Sequence, residues 1–187
     1  MRTTLAVDEK VAKNFSEIVK KKNMVIYSVT NEAINLAIEL LKEDIEPDEA
    51  LTFIKLMKIM DSIDVIPLPG YLNEEILNKL YSVEKDALYD TFLKTGKEVA
   101  AVFKAFMPNL IDIIKLARSL IKFFPLKKIE VEELGSKYRL LVAGAGKSPV
   151  TTNCVLYFLR GFLDGYDAKI LEEKVSTGVI DVIFVKK

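Results

Sequence analysis

Histidine is absent from the 187 residues of this chain, and cysteine occurs once, at position 154. A single thiol cannot form an internal disulfide, and without imidazole the usual zinc ligand sets cannot be assembled. The same absence excludes a Ser-His-Asp or Cys-His catalytic triad. Any small unit in the chain must therefore be stabilised by its own apolar core or by association with another chain.

Composition supports a protein with a real core. Half of the residues are hydrophobic and 29% are charged, with 27 basic and 27 acidic side chains. Such a chain can form one medium domain or two small ones, and it is not a disordered tail or a fibre. Zero net charge argues against coating of nucleic acid by bulk charge, so any DNA contact needs a local basic patch.

The start of the chain does not follow the signal-peptide pattern, and charged residues interrupt the longest apolar stretch. We therefore expect a cytoplasmic protein without a membrane partner. Glutamine and tryptophan are absent, whereas lysine, glutamate and isoleucine are abundant. This usage is typical of a thermophile.

The first 44 residues have the pattern of a strand followed by two helices. Residues 2–7 are rich in Thr, Leu and Val, which predicts a strand, and Asp8 is positioned to cap a first helix. Ser28 and Thr30 offer caps for a second helix. A unit of this size seldom folds alone, so we expect a dimer in which the strand pairs with its copy.

This front segment, RTTLAVDEKVAKNF followed by SVTNEAINLAIELLKE, resembles the ribbon-helix-helix repressors of the CopG, Arc and MetJ kind. The resemblance implies an intertwined dimer whose paired strands enter the major groove of operator DNA. The residues that would read bases are Arg2, Thr4 and Ala6, and Ser28 or Thr30 would grip a phosphate.

Along the rest of the chain, helical patterns come first and the patterns of a small antiparallel sheet follow. A helix over Pro47–Asp61 is predicted to connect the halves, and Pro67, Pro69 and Gly70 mark a boundary. These signals predict a DNA-binding domain over 1–44, a linker over 45–70 and a ligand-binding domain over 71–187. The last domain is predicted to be α+β, with helices over 73–80, 83–106, 109–123 and 149–163 and strands over 128–134, 138–142, 169–175 and 179–185.

Three motifs could carry chemistry. Residues 143–148 (AGAGKS) follow a strand, but the glycine that a phosphate loop needs at position 141 is a leucine, which favours a structural turn. Cys154 lies among apolar residues and is interpreted as a small hydrophobe. Neighbouring glutamates in the strand-like segments point to opposite faces, so they form no catalytic dyad. No catalytic residue, metal ligand or cofactor is predicted.

Residues 70–187, with the segment CVLYFLRGFLDG and the later Glu172-Glu173 and Gly178, resemble the 4-vinyl reductase domain, which is related to the sensor of XylR-type activators. The resemblance implies a site for an apolar or aromatic small molecule. Family members often hold zinc near the last hairpin, where this chain has Val175 and Val182, so zinc is not expected. The implied pocket residues are Phe92, Phe103, Phe106, Tyr157, Phe158 and Phe162.

Together these features predict a ligand-responsive transcriptional regulator that binds operator DNA as a homodimer. The first alternative is an antitoxin, although the rear 117 residues are richer in core residues than antitoxin tails usually are. The second alternative is an enzyme or accessory protein of the reductase-like family. Because no residue set supports redox or acid-base chemistry, we expect that the chain is not an enzyme.

Overall fold

The computed structural model describes residues 4–66, 68–119, 121 and 126–186. The chain divides into a front unit, Met1–Leu51, and a rear unit, Thr52–Lys187. No single helix among the described residues is long and apolar enough to cross a membrane. Among the same residues, one pair of helices, Glu9–Lys21 and Ile26–Lys42, is long and apolar enough when taken together, and this pair is bent by 117°.

The front unit starts with two helices, α1 (Glu9–Lys21) and α2 (Ile26–Lys42). The Asp8 carboxylate caps α1, because its Oδ1 accepts hydrogen bonds from the backbone N–H groups of Lys10 at 2.9 Å and Val11 at 3.3 Å. The predicted cap at Asp8 is therefore confirmed. The chain leaves α1 through Asn23, which has a left-handed φ of 55°.

The strand predicted over residues 2–7 is wrong for the part of that segment that the structure describes. Residues 4–8 form no β-ladder, and Thr4, Ala6 and their neighbours are exposed. A strand needs a neighbour for its backbone groups, and the chain turns at once into α1. Arg2 lies outside the described residues. The ribbon-helix-helix fold class, with its intertwined ribbon, is therefore corrected to a helical front unit.

The predicted caps of the second helix are also wrong. α2 begins at Ile26, after Val25, whose side chain makes no capping hydrogen bond. Ser28 and Thr30 therefore lie within the first turns of the helix. Thr30 Oγ1 donates to the carbonyl oxygen of Ile26 at 2.8 Å, which is the usual way for a threonine inside a helix to satisfy its hydroxyl.

In the rear unit, helices come first and two pairs of strands with a helix between them follow, as the sequence indicates, and α3 spans the boundary between the units. The predicted bounds of α3 and β1 are confirmed residue for residue, and the other strands begin or end within three residues of the prediction. The elements are α3 (Pro47–Asp61), α4 (Gly70–Phe106), α5 (Leu110–Ser119), β1 (Lys128–Leu134), β2 (Lys137–Ala145), α6 (Pro149–Gly165), β3 (Ala168–Ser176) and β4 (Gly178–Lys186).

The described strands form a four-stranded antiparallel sheet in the order β1-β2-β4-β3. Ile129 pairs with Val142, and Val142 pairs with Ile180, so alternate side chains share one face. Gly178, with a φ of 78°, opens the last hairpin, where a side chain would be strained. The buried face of the sheet carries Ile129, Leu140, Val142, Ile180, Val182 and Phe184.

α4 and α6 approach each other through glycines. A Cβ added at Gly96 would overlap the carbonyl oxygen of Phe158, and one added at Gly161 would overlap the carbonyl oxygen of Leu93. Backbone therefore lies against backbone, and no space for a ligand remains at these two contacts. α4 itself is interrupted at Glu84, whose φ of −142° and ψ of 72° are not helical.

Candidate functional site

Helix α2 carries an exposed apolar surface in the front unit. Only Glu32, Glu39 and Lys42 are charged among its 17 residues, and none of the 17, all of them described, is buried. Leu36 is 62% exposed and Leu41 is 59% exposed. Since a helix that is apolar around most of its circumference is normally covered by protein, α2 is a candidate interface.

Other apolar side chains of the front unit extend this surface. Within α1 and α2, Val19 is the one buried residue. A core of that size leaves most large hydrophobic groups in contact with solvent. The exposed ones outside α2 are Leu5, Val7, Val11, Ile18, Met24, Val25 and Leu51, and Ile26 and Tyr27 join them at the start of α2.

The six aromatic residues predicted to line a ligand pocket do not meet at one place. Phe92 and Tyr157 belong to a small cluster in which Tyr157 stacks on Tyr89 at 4.6 Å between ring centroids. Phe103 and Phe162 pack edge to face at 5.9 Å in the main core. The remaining two differ in exposure: Phe158 is half-buried beside Phe162, and Phe106 is 60% exposed.

Two surface hollows of the rear unit are lined by other residues. A hollow of about 350 Å³ lies on the charged face of the sheet around Arg139, Asp181 and Lys174. A more apolar hollow of about 580 Å³ lies beside α3. The sequence contains no specific signal for the second hollow, because the spacing of apolar residues along α3 does not show which side of the helix other elements cover. It is lined by Phe53, Ile54, Met57, Lys58, Met60, Asp61 and Val65.

The glycine-rich turn before α6 holds a carboxylate of the protein itself. Glu74 Oε1 accepts from the backbone N–H of Lys147 at 2.7 Å, and Glu74 Oε2 accepts from the Thr151 hydroxyl at 2.7 Å. Burial opposes ionisation of Glu74, but these hydrogen bonds outweigh it and hold the pKa of the carboxyl below its ordinary value. The structural interpretation of this turn is thus favoured over a phosphate loop. No sequence signal pointed to Glu74, which lies 73 residues from Lys147.

Three other titratable groups among the described residues of the rear unit are buried, and burial raises the pKa of each of them, Tyr89 included. Burial raises the pKa of the Cys154 thiol to about 11, so the thiol is protonated and behaves as a small apolar group. Burial also raises the pKa of Tyr166 to about 12, and its hydroxyl donates to the carbonyl oxygen of Met107 at 2.9 Å.

The positions considered for zinc lie on the last hairpin. Val175 is exposed on β3, and Val182 is fully buried in β4. Among the described residues there is no group of three or more His, Cys, Asp or Glu side chains that could hold a metal ion. Nothing in this part of the chain offers zinc a ligand set.

Among known proteins, the chain is similar to solved structures. No family model matches the chain, and no curated protein matches it. An H-NOX domain from Shewanella woodyi, in its Fe(II)CO state with bound IWP-051, is 17% identical, with a TM-score of 0.44 over 80% of this chain and 90% of that one. A second H-NOX domain, from work on heme distortion, is 11% identical, with a TM-score of 0.45 over 70% of this chain and 83% of that one. TM-scores below 0.5 transfer no function.

These findings correct the predicted identity. The similar structures are H-NOX domains, not ribbon-helix-helix repressors or 4-vinyl reductase domains, and the described front residues begin with helices. The transcriptional regulator with DNA as its partner is therefore wrong. The antitoxin and the reductase-like enzyme are no better supported, and no family is assigned to the chain.

Proposed function

We propose that the chain is a non-catalytic assembly protein whose α2 helix packs against α2 of a second copy. The observation that carries this proposal is the contrast between the apolar sequence of α2 and its complete lack of buried residues. A solvent-facing helix of this composition loses stability for every large side chain that stays in water. The pairing is helix on helix and needs no β-ribbon.

The charge of α2 favours its own copy as the partner. Glu39 and Lys42 form an ion pair within the helix at 2.6 Å, which leaves Glu32 as its remaining charged residue. A strongly acidic or basic partner would find little to complement on this face. A two-fold axis instead places the same apolar patch on both sides, which is the commonest arrangement in soluble oligomers.

The rear unit supports the non-catalytic part of the proposal. Burial holds the Cys154 thiol and the hydroxyls of Tyr89 and Tyr166 in their neutral forms. Both Glu74 oxygens accept hydrogen bonds from the protein. None of these groups is poised to exchange a proton with a substrate. A cytoplasmic location stays part of this proposal.

Heme, which is named for the similar H-NOX structures, would find neither a histidine nor a cysteine thiolate in this chain. These are two of the groups that hold heme iron in proteins, and methionine and tyrosine are the others. The chain has no histidine, and its one cysteine is fully buried with a pKa of about 11. The proposed function therefore includes no heme.

Sedimentation equilibrium of the full chain at low and high micromolar concentration tests the assembly. We expect a dimer for the native sequence and a monomer for Leu36→Glu and Leu41→Glu, which place a charge on the α2 face. Leu171→Glu is the matched control, since Leu171 is a similarly apolar residue exposed on β3 in the rear unit, and its variant should stay dimeric.

Three outcomes would contradict the proposal. The native chain could be a monomer at every concentration, or a dimer that neither α2 variant weakens. A monomer that sediments with anionic phospholipid vesicles would show that a membrane surface, not a second copy, covers α2.

A further inference from the structure

The first part of α4 is set apart from the rest of the helix. Residues 70–83, called the lid segment below, precede the non-helical Glu84. We propose that the lid segment swings about Glu84 and, when closed, covers the small cluster of apolar and aromatic side chains around Cys154, with the Glu74 carboxylate as its latch. This device is independent of the assembly through α2.

The lid segment closes a core of its own. Leu77 of the lid packs with Leu88, Tyr89 and Cys154, and this cluster is separate from the main core beneath the sheet. Tyr81 adds a ring contact with Tyr89 at 5.9 Å. Because the two cores are separate, the small one can open while the main core stays packed.

The lid segment is held by few buried groups. Leu77 is its one fully buried apolar side chain. Tyr71 is 72% exposed and Val83 is 79% exposed, and Leu80 also faces solvent. Segments with few buried apolar contacts open with a smaller free energy than the whole domain. The hydrogen bonds of Glu74 therefore contribute a large share of the free energy that holds the lid segment closed.

The latch joins the lid segment to the start of α6. Glu74 bridges the N–H of Lys147 and the hydroxyl of Thr151, and Ser148 caps the same helix by accepting from the N–H of Thr151 at 3.2 Å. The carboxylate thus lies at the positive end of the α6 dipole. Removing it breaks both bonds at once, with no loss from the packing of Leu77.

Cys154 reports on the lid because it is the only thiol in the chain. It is fully buried in the closed structure, so an aromatic disulfide reagent can reach it only after opening. We expect Glu74→Ala to speed labelling by about tenfold or more, since it removes two charge-assisted hydrogen bonds. Glu75→Ala is the matched control, because Glu75 is exposed and forms an ion pair with Lys79 within the helix, at 2.8 Å. It should label at the native rate.

Labelling in increasing urea separates lid opening from unfolding of the whole domain. A lid predicts a rate that changes little with urea until the unfolding transition, because opening exposes little surface. Leu77→Ala, which thins the packing of the lid and leaves the latch intact, should also speed labelling. Equal rates for the native chain and Glu74→Ala would overturn the proposal. So would a native rate that follows global unfolding at all urea concentrations.

Discussion

Helices α2 and α6 each have 17 residues and are similarly apolar, yet they differ completely in burial. α2 has no buried residue, whereas six residues of α6 are buried, from Thr151 to Leu163. The difference lies in the neighbours that the chain supplies. α6 is covered by α4 and the sheet, while α2 has α1 as its neighbour in the front unit. The sequence of an apolar helix therefore indicates that the helix packs against protein, but it does not identify the packing partner.

The two regions should respond differently to loss of an apolar side chain. Phe184 is fully buried in β4, and Phe184→Ala should lower the free energy of unfolding by about 3–5 kcal/mol at any protein concentration. Leu36→Ala should lower the midpoint of thermal unfolding mainly at low protein concentration, because Leu36 is buried by a second copy of the chain in the proposed dimer. Thermal unfolding over a hundredfold dilution series measures both. A concentration-independent loss in Leu36→Ala would remove the distinction.

The glycine contacts of α6 offer the next largest effect. Gly161→Ala adds a methyl group against the Leu93 carbonyl, so we expect a loss of up to about 3 kcal/mol despite the better helix propensity of alanine. Gly70→Ala is the control, since nothing lies within 4 Å of its added Cβ. Urea denaturation followed by circular dichroism gives both values. Equal urea midpoints for the Gly161→Ala and Gly70→Ala variants would show that α4 and α6 can move apart without loss of stability.

Local signals in the sequence were sufficient for much of the rear unit. The bounds of α3 and β1 are as predicted, because Pro47 and the residues flanking β1 mark their ends within a few positions. The strand predicted at residues 2–7 failed because a strand depends on a partner that composition does not reveal. Of the two front helices, α1 begins at its predicted cap, Asp8, whereas α2 begins before both of its predicted caps.

Long-range contacts account for what could not be predicted at the sites. Helical spacing places Phe103 and Tyr157 on apolar faces, but it cannot say whether a face meets protein or a cavity. The link from Glu74 to the turn at Lys147 joins residues that are far apart in sequence, and neither residue is unusual in its local context. Only the folded chain brings the two groups together.

A buried hydroxyl inside α6 gives a smaller effect. Thr152 donates to the Ser148 carbonyl at 2.8 Å and accepts from the N–H of Gly178 at 2.8 Å, and so ties α6 to the last hairpin. Thr152→Val keeps the shape but leaves that N–H unpaired, which should cost about 1–3 kcal/mol. Thr152→Ser keeps the hydroxyl and serves as the control. If valine and serine variants unfold alike in urea, the hydrogen bond contributes nothing measurable.

The smallest expected effect comes from an ion pair on the charged face of the sheet. This prediction compares a surface contact with the core contacts of the same rear unit. Arg139 donates two hydrogen bonds to Asp181, at 2.9 and 2.7 Å, and these hold the pKa of the Asp181 carboxyl below its ordinary value. A lowered pKa in the folded state adds stability above the ordinary carboxyl pKa, and this stability is lost as pH falls through the lowered value. Asp181→Asn should therefore reduce the unfolding midpoint slightly at neutral pH and hardly at all in strong acid. Because solvent screens the pair, added salt should shrink the difference. A difference that persists unchanged into strong acid would assign the effect of Asp181 to packing instead of charge.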